Sequence, residues 1–202
     1  SSLFASGYQW GTFPAVSAGW VFTKENFFPA SIADKINYGK LRASWGQNGN
    51  LSSVGLGEYL NSISGGLIYY DANGNAVVGA APNNLAYPQL TWETGEQYDI
   101  GLDLVLLKNR MNFTVDYYKR TTKDLLTDGK APIFAGNYLR TVNAGDVENK
   151  GWEFDLSYKN LPKSKNSFSY EIGGNISFNK NEVTYLDPNA PFFPGANVGT
   201  GW

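Results

Sequence analysis

Four carboxylates stand in two close pairs, Asp99 with Asp103 and Glu153 with Asp155. Paired carboxylates are the apparatus of glycoside hydrolysis, in which one acid protonates the leaving oxygen while the other attacks or activates water. A second candidate is Asp71-Ala72-Asn73-Gly74-Asn75, whose alternating oxygen side chains open like a calcium loop. Ala76 stands where that motif has Gly, however, and Pro82 where it has the bidentate Glu. Asn73-Gly74 already accounts for the segment as a hairpin turn between Leu67–Tyr70 and Ala76–Val78. Histidine and cysteine are absent, which removes the commonest general base and both the imidazole and thiolate metal ligands. No catalytic residue, cofactor or resident metal is therefore expected.

The spacing within each carboxylate pair is even, so on a β-strand both members share one face. That face is polar, and the other face is apolar. The clearest case is Phe168, Tyr170, Ile172, Ile176 and Phe178 alternating with Ser169, Glu171, Gly173, Asn175 and Ser177. Six segments carry the pattern, near 13–23, 38–47, 96–107, 111–121, 148–158 and 168–180. Tyr38 falls out of phase with Leu41, Ala43 and Trp45, so Gly39 reads as a bulge. Residues around Ala30–Asp34 read as one helical turn.

Strands of this length exceed the roughly 5–6 residues usual in globular sheets and match the roughly 9–11 that cross a bilayer at a tilt. The connections between the segments run short, long, short, long, short, long, which is the order of an up-and-down outer-membrane barrel with short periplasmic turns and long extracellular loops. The fold class expected is all-β, with antiparallel strands forming part of a transmembrane barrel. Trp20, Phe22, Ile100, Leu102, Leu104, Phe113, Val115, Phe154, Leu156, Ile172 and Ile176 then face lipid. Arg42, Asp99, Asp103, Asn112, Asp116, Glu153, Asp155, Glu171 and Asn175 face a watery lumen. Six strands cannot close a barrel of the usual minimum of about eight, so the chain reads as a piece of a longer wall. Two alternatives stay open at this point: a soluble carbohydrate-binding β-sandwich, which also alternates, and a secreted β-rich glycosidase built on the carboxylate pairs.

Composition agrees with many aromatic-rich strands and turns: 15% aromatic, 23 Gly and only 17% charged residues in a chain of 202. No apolar run approaches the roughly 18 residues of a membrane helix. A net charge of −2 without a dense basic patch gives no footprint for nucleic acid.

Several blocks of the chain resemble SusC/RagA-type TonB-dependent outer-membrane transporters. They are Leu90-Thr91-Trp92-Glu93-Thr94, running on through Gly95-Glu96-Gln97-Tyr98-Asp99-Ile100-Gly101-Leu102-Asp103; Asp116-Tyr117-Tyr118-Lys119-Arg120-Thr121-Thr122-Lys123-Asp124-Leu125-Leu126; and Asn143-Ala144-Gly145-Asp146-Val147-Glu148-Asn149-Lys150-Gly151-Trp152-Glu153. Phe13-Pro14-Ala15-Val16-Ser17-Ala18-Gly19-Trp20 and Lys40-Leu41-Arg42-Ala43-Ser44-Trp45-Gly46-Gln47-Asn48-Gly49-Asn50 are further blocks, all in the family's order. The resemblance implies a fragment of the C-terminal half of a 22-stranded barrel in the outer membrane of a Gram-negative bacterium. It also implies a plug domain and a TonB box, neither of which is expected in residues 1–202. Implied partners are a SusD-like surface lipoprotein, the TonB complex acting through other parts of the chain, outer-membrane lipids, and an oligosaccharide or peptide cargo.

Tyr69, Tyr70, Tyr87 and Trp92, in or beside the long second connection, are candidates for stacking on sugar rings or packing against the lipoprotein, and equally for a small core within that loop. Lys119, Arg120 and Lys123, where a strand leaves the membrane, are candidates for contact with lipid phosphates or for plain solvation.

Overall fold

The structure, a computed structural model, describes residues 1–128, 138–139, 141–160 and 168–186. Its strands are β1 Ala15–Trp20, β2 Ile36–Asn50, β3 Ser62–Tyr70, β4 Ala76–Leu85, β5 Glu93–Leu106, β6 Met111–Lys123, β7 Leu126–Asp128, β8 Tyr138–Leu139, β9 Thr141–Asn143, β10 Gly145–Lys159 and β11 Glu171–Leu186. One short helix, α1 Ala30–Ala33, follows a 3-10 turn at Phe22–Lys24.

Six of these strands form a single antiparallel sheet in the order β1-β2-β5-β6-β10-β11. Sequence neighbours pair across each connection, so the chain meanders up and down. The register makes every cross-strand row uniform. Arg42 lies opposite Gly101, Gly101 opposite Asp116, Asp116 opposite Glu153 and Glu153 opposite Ser177. The next row is Ala43, Ile100, Tyr117, Trp152 and Phe178. Because side chains alternate along every strand, the two-residue pattern becomes a two-sided wall.

No second layer packs on this wall among the described residues. Phe168 is 79% exposed, Ile172 67% and Ile176 54%. The buried apolar residues are Phe4, Val54, Leu90, Leu126, Val142 and Ala144, all at the end that carries the long connections. A β-sandwich would bury one face of this sheet against another. Here the apolar face is left open, which removes the sandwich reading and agrees with a partial barrel.

Local departures from the sequence pattern have physical causes. The first strand ends at Trp20 instead of running on, because Phe22 enters a 3-10 turn and lays its ring on Gly39, on the apolar side of the sheet. A Cβ at Gly39 would stand 2.2 Å from the Phe22 ring, so this close approach explains the glycine. The bulge lies one step earlier than expected, between Ile36 and Tyr38. The last strand runs to Leu186, beyond the expected end near 180, and residues 168–170 precede it without joining the sheet. The Asn-Gly hairpin forms as β3–β4, and a third, short strand, β8, pairs parallel to β4. Most of the polar turn after Asn160, and the proline-containing stretch with Pro188, Pro191 and Pro194, lie outside the described residues.

Candidate functional site

On the polar face, charge is concentrated around Arg42. Its Nε and Nη2 donate to the two oxygens of Asp103 at 3.1 and 3.2 Å, and Nη2 reaches the Asp116 carboxylate at 2.8 Å. Asp103 also accepts from Thr114 Oγ1 at 3.4 Å. One planar guanidinium thus ties β2, β5 and β6 together, a geometry that its fork of donors allows and a lysine would not. The bridge to Asp116 passes over Gly101, where a Cβ would meet Asp116 at 2.4 Å and Arg42 at 2.5 Å.

Around this centre, Ser44 Oγ donates to Asp99 at 3.2 Å, and Gln97 Nε2 donates to both Asp99 oxygens at 3.0 and 3.1 Å. Asn112 Nδ2 donates to Ser157 Oγ at 3.3 Å. Glu153, Asp155, Glu171 and Asn175 share the face by register. A shallow groove along it is lined by Arg42, Ser44, Gln97, Asp99, Tyr118 and Arg120, among others. Asp103 is engaged by Arg42 and Asp99 by amide and hydroxyl donors. Neither aspartate therefore faces its pair partner as a free acid, and the face is a hydrogen-bonded polar surface.

On the opposite face the rows are graded. Leu41, Leu102, Val115, Phe154 and Ile176 form an aliphatic-rich row. Toward the long connections comes the aromatic row, where the Tyr117 and Trp152 rings lie 4.9 Å apart. Beyond it stand Trp45, Tyr98, Lys119, Lys150 and Lys180. At the other end, Trp20 packs with Phe22 and Phe27, and Tyr158 with Tyr170. Tyr and Trp gather where one edge can be wet and the rest apolar. Trp20, Phe22, Ile100, Leu102, Leu104, Phe113, Val115, Phe154, Leu156, Ile172 and Ile176 all share this side of the sheet.

The long connections build a separate small core. Phe4, Val54, Leu90 and Leu126 bury one another, with Tyr87 and Trp92 packed against them. Trp92 touches the rings of Phe4 and Phe13 at 5.3 and 5.4 Å and donates its indole N–H to the Tyr8 carbonyl at 3.1 Å. Tyr87 and Trp92 thus pack against this core, the second of the two roles open to them from the sequence. Tyr69 and Tyr70 lie exposed on the β3–β4 hairpin instead. The hairpin turn is capped by Asp71, whose carboxylate accepts the Asn73 and Asn75 amides at 2.9 and 2.8 Å. These bonds, Asn75's foremost, hold its carboxyl below the usual carboxylate range. Gly74 at φ +83° completes the turn. Asp71 thus serves as the capping residue of the turn.

Two residues that alternation did not single out anchor the core to the wall. The Asn143 side chain accepts the Thr91 amide at 3.0 Å and donates to the carbonyls of Thr91 and Asp124 at 3.1 and 2.8 Å. Glu93 accepts from Asn50 Nδ2 at 2.9 Å and from the Leu126 amide at 3.1 Å. Both belong to the quoted sequence blocks, which was the available signal. The pairing itself spans 52 residues between Thr91 and Asn143 and leaves no local periodicity.

Residues 2–202 match the family model described as TonB dependent receptor-like, beta-barrel. TonB-dependent receptor P39 of Formosa agariphila is 37% identical over 195 residues, covering 96% of this chain and 18% of its own length. TonB-dependent receptor SusC of Bacteroides thetaiotaomicron is 31% identical over 189 residues, covering 92% of this chain and 18% of its own. A solved structure of the RagAB peptide importer in its open-open state superposes with a TM-score of 0.78 at 25% identity, over 100% of this chain and 21% of that one. The closed-closed state of RagAB gives 0.77 at 22% identity, over 92% of this chain and 19% of that one. The chain therefore spans about a fifth of the length of these relatives.

Proposed function

The chain belongs to the TonB-dependent receptor-like β-barrel family, with SusC-type relatives, and on that premise we propose that it supplies six membrane-spanning strands of an outer-membrane nutrient importer. The observation that carries this reading is the single-layer sheet with one exposed apolar face and one hydrogen-bonded polar face. In hydrocarbon every backbone donor and acceptor must be paired, which this continuous ladder does internally for β2, β5, β6 and β10. The apolar face meets lipid. The polar face, from Lys40 and Arg42 across to Glu171 and Asn175, lines the lumen and hydrates the cargo. The tight turn at Leu107–Arg110 lies on the periplasmic side, and the long connections with their own core lie outside.

The cargo is an oligosaccharide or peptide, and a SusD-like lipoprotein covers the outer mouth. Exposed Ile63, Ile68, Tyr70 and Val78 on the β3–β4 hairpin support the second point, since so much bare apolar surface on a small sheet gains stability from a cover. Relatives include RagAB, whose structures are described as a peptide importer. Energy coupling through TonB belongs to other parts of the protein.

Neighbouring cysteines test the wall. Residues 1–202 hold no native Cys, so Asn175→Cys and Ile176→Cys can be introduced singly into a full-length receptor in outer-membrane vesicles, with any cysteine elsewhere in that receptor replaced by Ser. A water-soluble maleimide should label Asn175→Cys and spare Ile176→Cys until the membrane is dissolved. Equal labelling of both in intact membranes would overturn the proposal.

A further inference from the structure

Lys119, Lys150 and Lys180 stand directly opposite one another on three adjacent strands. Like charges placed opposite across strands repel, so a row of three on an exposed face calls for counter-charge. Part of it is local. Glu148 bridges Lys119 and Lys150 at 2.8 and 2.7 Å, and Glu182 meets Lys180 at 3.0 Å. Those carboxylates lie one row further toward the long connections, where Glu96 stands in line with them and answers Lys123 at 3.8 Å, so Lys119 and Lys150 share one carboxylate while Lys180 has its own. All three lysine side chains remain well exposed, at 42%, 39% and 59%.

The row's depth matters more than its net charge. It sits on the apolar face, one row outward of Tyr117, Trp152 and Phe178, and those rings border the aliphatic band. Two residues of strand separate the rows, about 7 Å along the chain. A lysine there can lay its methylene stem on the aromatic row and hold its ammonium at headgroup level. Arg120, adjacent in sequence, projects to the polar face, opposite Gln97 and Asn149, and takes no part.

We propose that Lys119, Lys150 and Lys180 form a binding strip for the phosphate groups of a phosphorylated glycolipid in the outer leaflet, charge-assisted by Lys–phosphate hydrogen bonds. The proposal rests on the reading of the apolar face as the lipid face and of the long connections as extracellular.

The test uses the full-length receptor carrying this segment, solubilised from outer membranes and supplied with lipid A. Bound lipid is counted per receptor by native mass spectrometry. Wild type should bind bis-phosphorylated lipid A several-fold better than the mono-phosphorylated form. The combined Lys119→Gln, Lys150→Gln and Lys180→Gln variant should lose about tenfold in affinity, the scale of one lost charged hydrogen bond, while Arg120→Gln should match wild type. Equal binding of the two lipid A forms by wild type would overturn the strip even if the combined variant failed to fold. So would a folded combined variant that binds like wild type, or an Arg120→Gln variant that loses as much. If wild type partitions into the soluble fraction, the membrane reading fails, and the strip with it. Receptor in the membrane fraction without phosphate preference sinks the strip alone.

Discussion

Arg42 and Asp116 sit on strands that are not neighbours, and their 2.8 Å ion pair crosses the intervening strand β5 above Gly101. The missing side chain at Gly101 is what makes the crossing possible, since any Cβ there would displace one partner. A glycine inside a strand normally weakens it, so here backbone freedom is conceded in exchange for a tie across three strands.

Gly101→Val should therefore cost about 1 kcal/mol, the upper range for a partly exposed ion pair, despite valine's better strand propensity. In an Arg42→Ala background the same substitution should cost nothing or stabilise. Thermal unfolding of the four forms of the full-length receptor in detergent checks this, and additive effects would show that the crossing is unimportant.

Ile176→Arg places a cation in the aliphatic row of the apolar face, where it should cost about 2–4 kcal/mol in lipid. Gly173→Ser, on the opposite face of the same strand, meets the Ser157 Cβ at 3.3 Å and the Leu156 carbonyl at 3.4 Å, which can give by tenths of an ångström, so its cost should stay below about 1 kcal/mol. Folding yields of the two variants into lipid vesicles compare them, and equal losses would reverse or abolish the face assignment.

Asn143→Ala removes three hydrogen bonds at once and leaves the Thr91 amide without its acceptor. A loss of about 2–3 kcal/mol in the local stability of the loop core is expected. Hydrogen exchange at Thr91 and Leu126 should accelerate, while exchange in the middle of β5 and β6 should not change.

Asp124 lies exposed just past β6, yet partial desolvation of its carboxyl, and then the charge of Asp146, hold it above the usual carboxylate range. Its raised folded-state value means that ionisation opposes folding. The penalty is absent below the ordinary aspartate range, grows as pH rises through it, and is complete above the folded-state value. Asp124→Asn should thus raise the melting temperature of the loop core at pH 7 and leave it unchanged near pH 3. The substitution also suits the left-handed backbone at this position, φ 55°. A stabilisation that persists undiminished at pH 3 would assign the effect to backbone conformation alone.

The wall was legible in the sequence because alternation is a local signal, and a strand whose two faces differ must write it at every residue. Asp71-Ala72-Asn73-Gly74-Asn75 was legible for the same reason, as turn chemistry lies within a few residues. What alternation could not supply was which row meets which. The Arg42–Asp103 pairing spans 61 positions, and Asn143 reaches Thr91 across 52. Loop aromatics were the other blind spot. Trp92 and Tyr70 look alike in a sequence, yet one is wedged against Phe4 and the other is 76% exposed, a difference set by contacts with the N-terminal segment. Phe22, expected in a strand near 13–23, lies on the same side of the sheet as Trp20 but in a turn, because its seat is the vacancy at Gly39 rather than a place in the ladder.

Phe4, Leu90 and Leu126 are sealed from solvent by their own neighbours, whereas Ile172 and Ile176 rely on whatever fluid surrounds them. On the proposed reading the molecule answers to two masters: its cap obeys water, and its wall obeys the amphiphile. Chaotropes should loosen the cap while micelles still sheathe the strands, and stripping the micelles should collapse the strands around an intact cap.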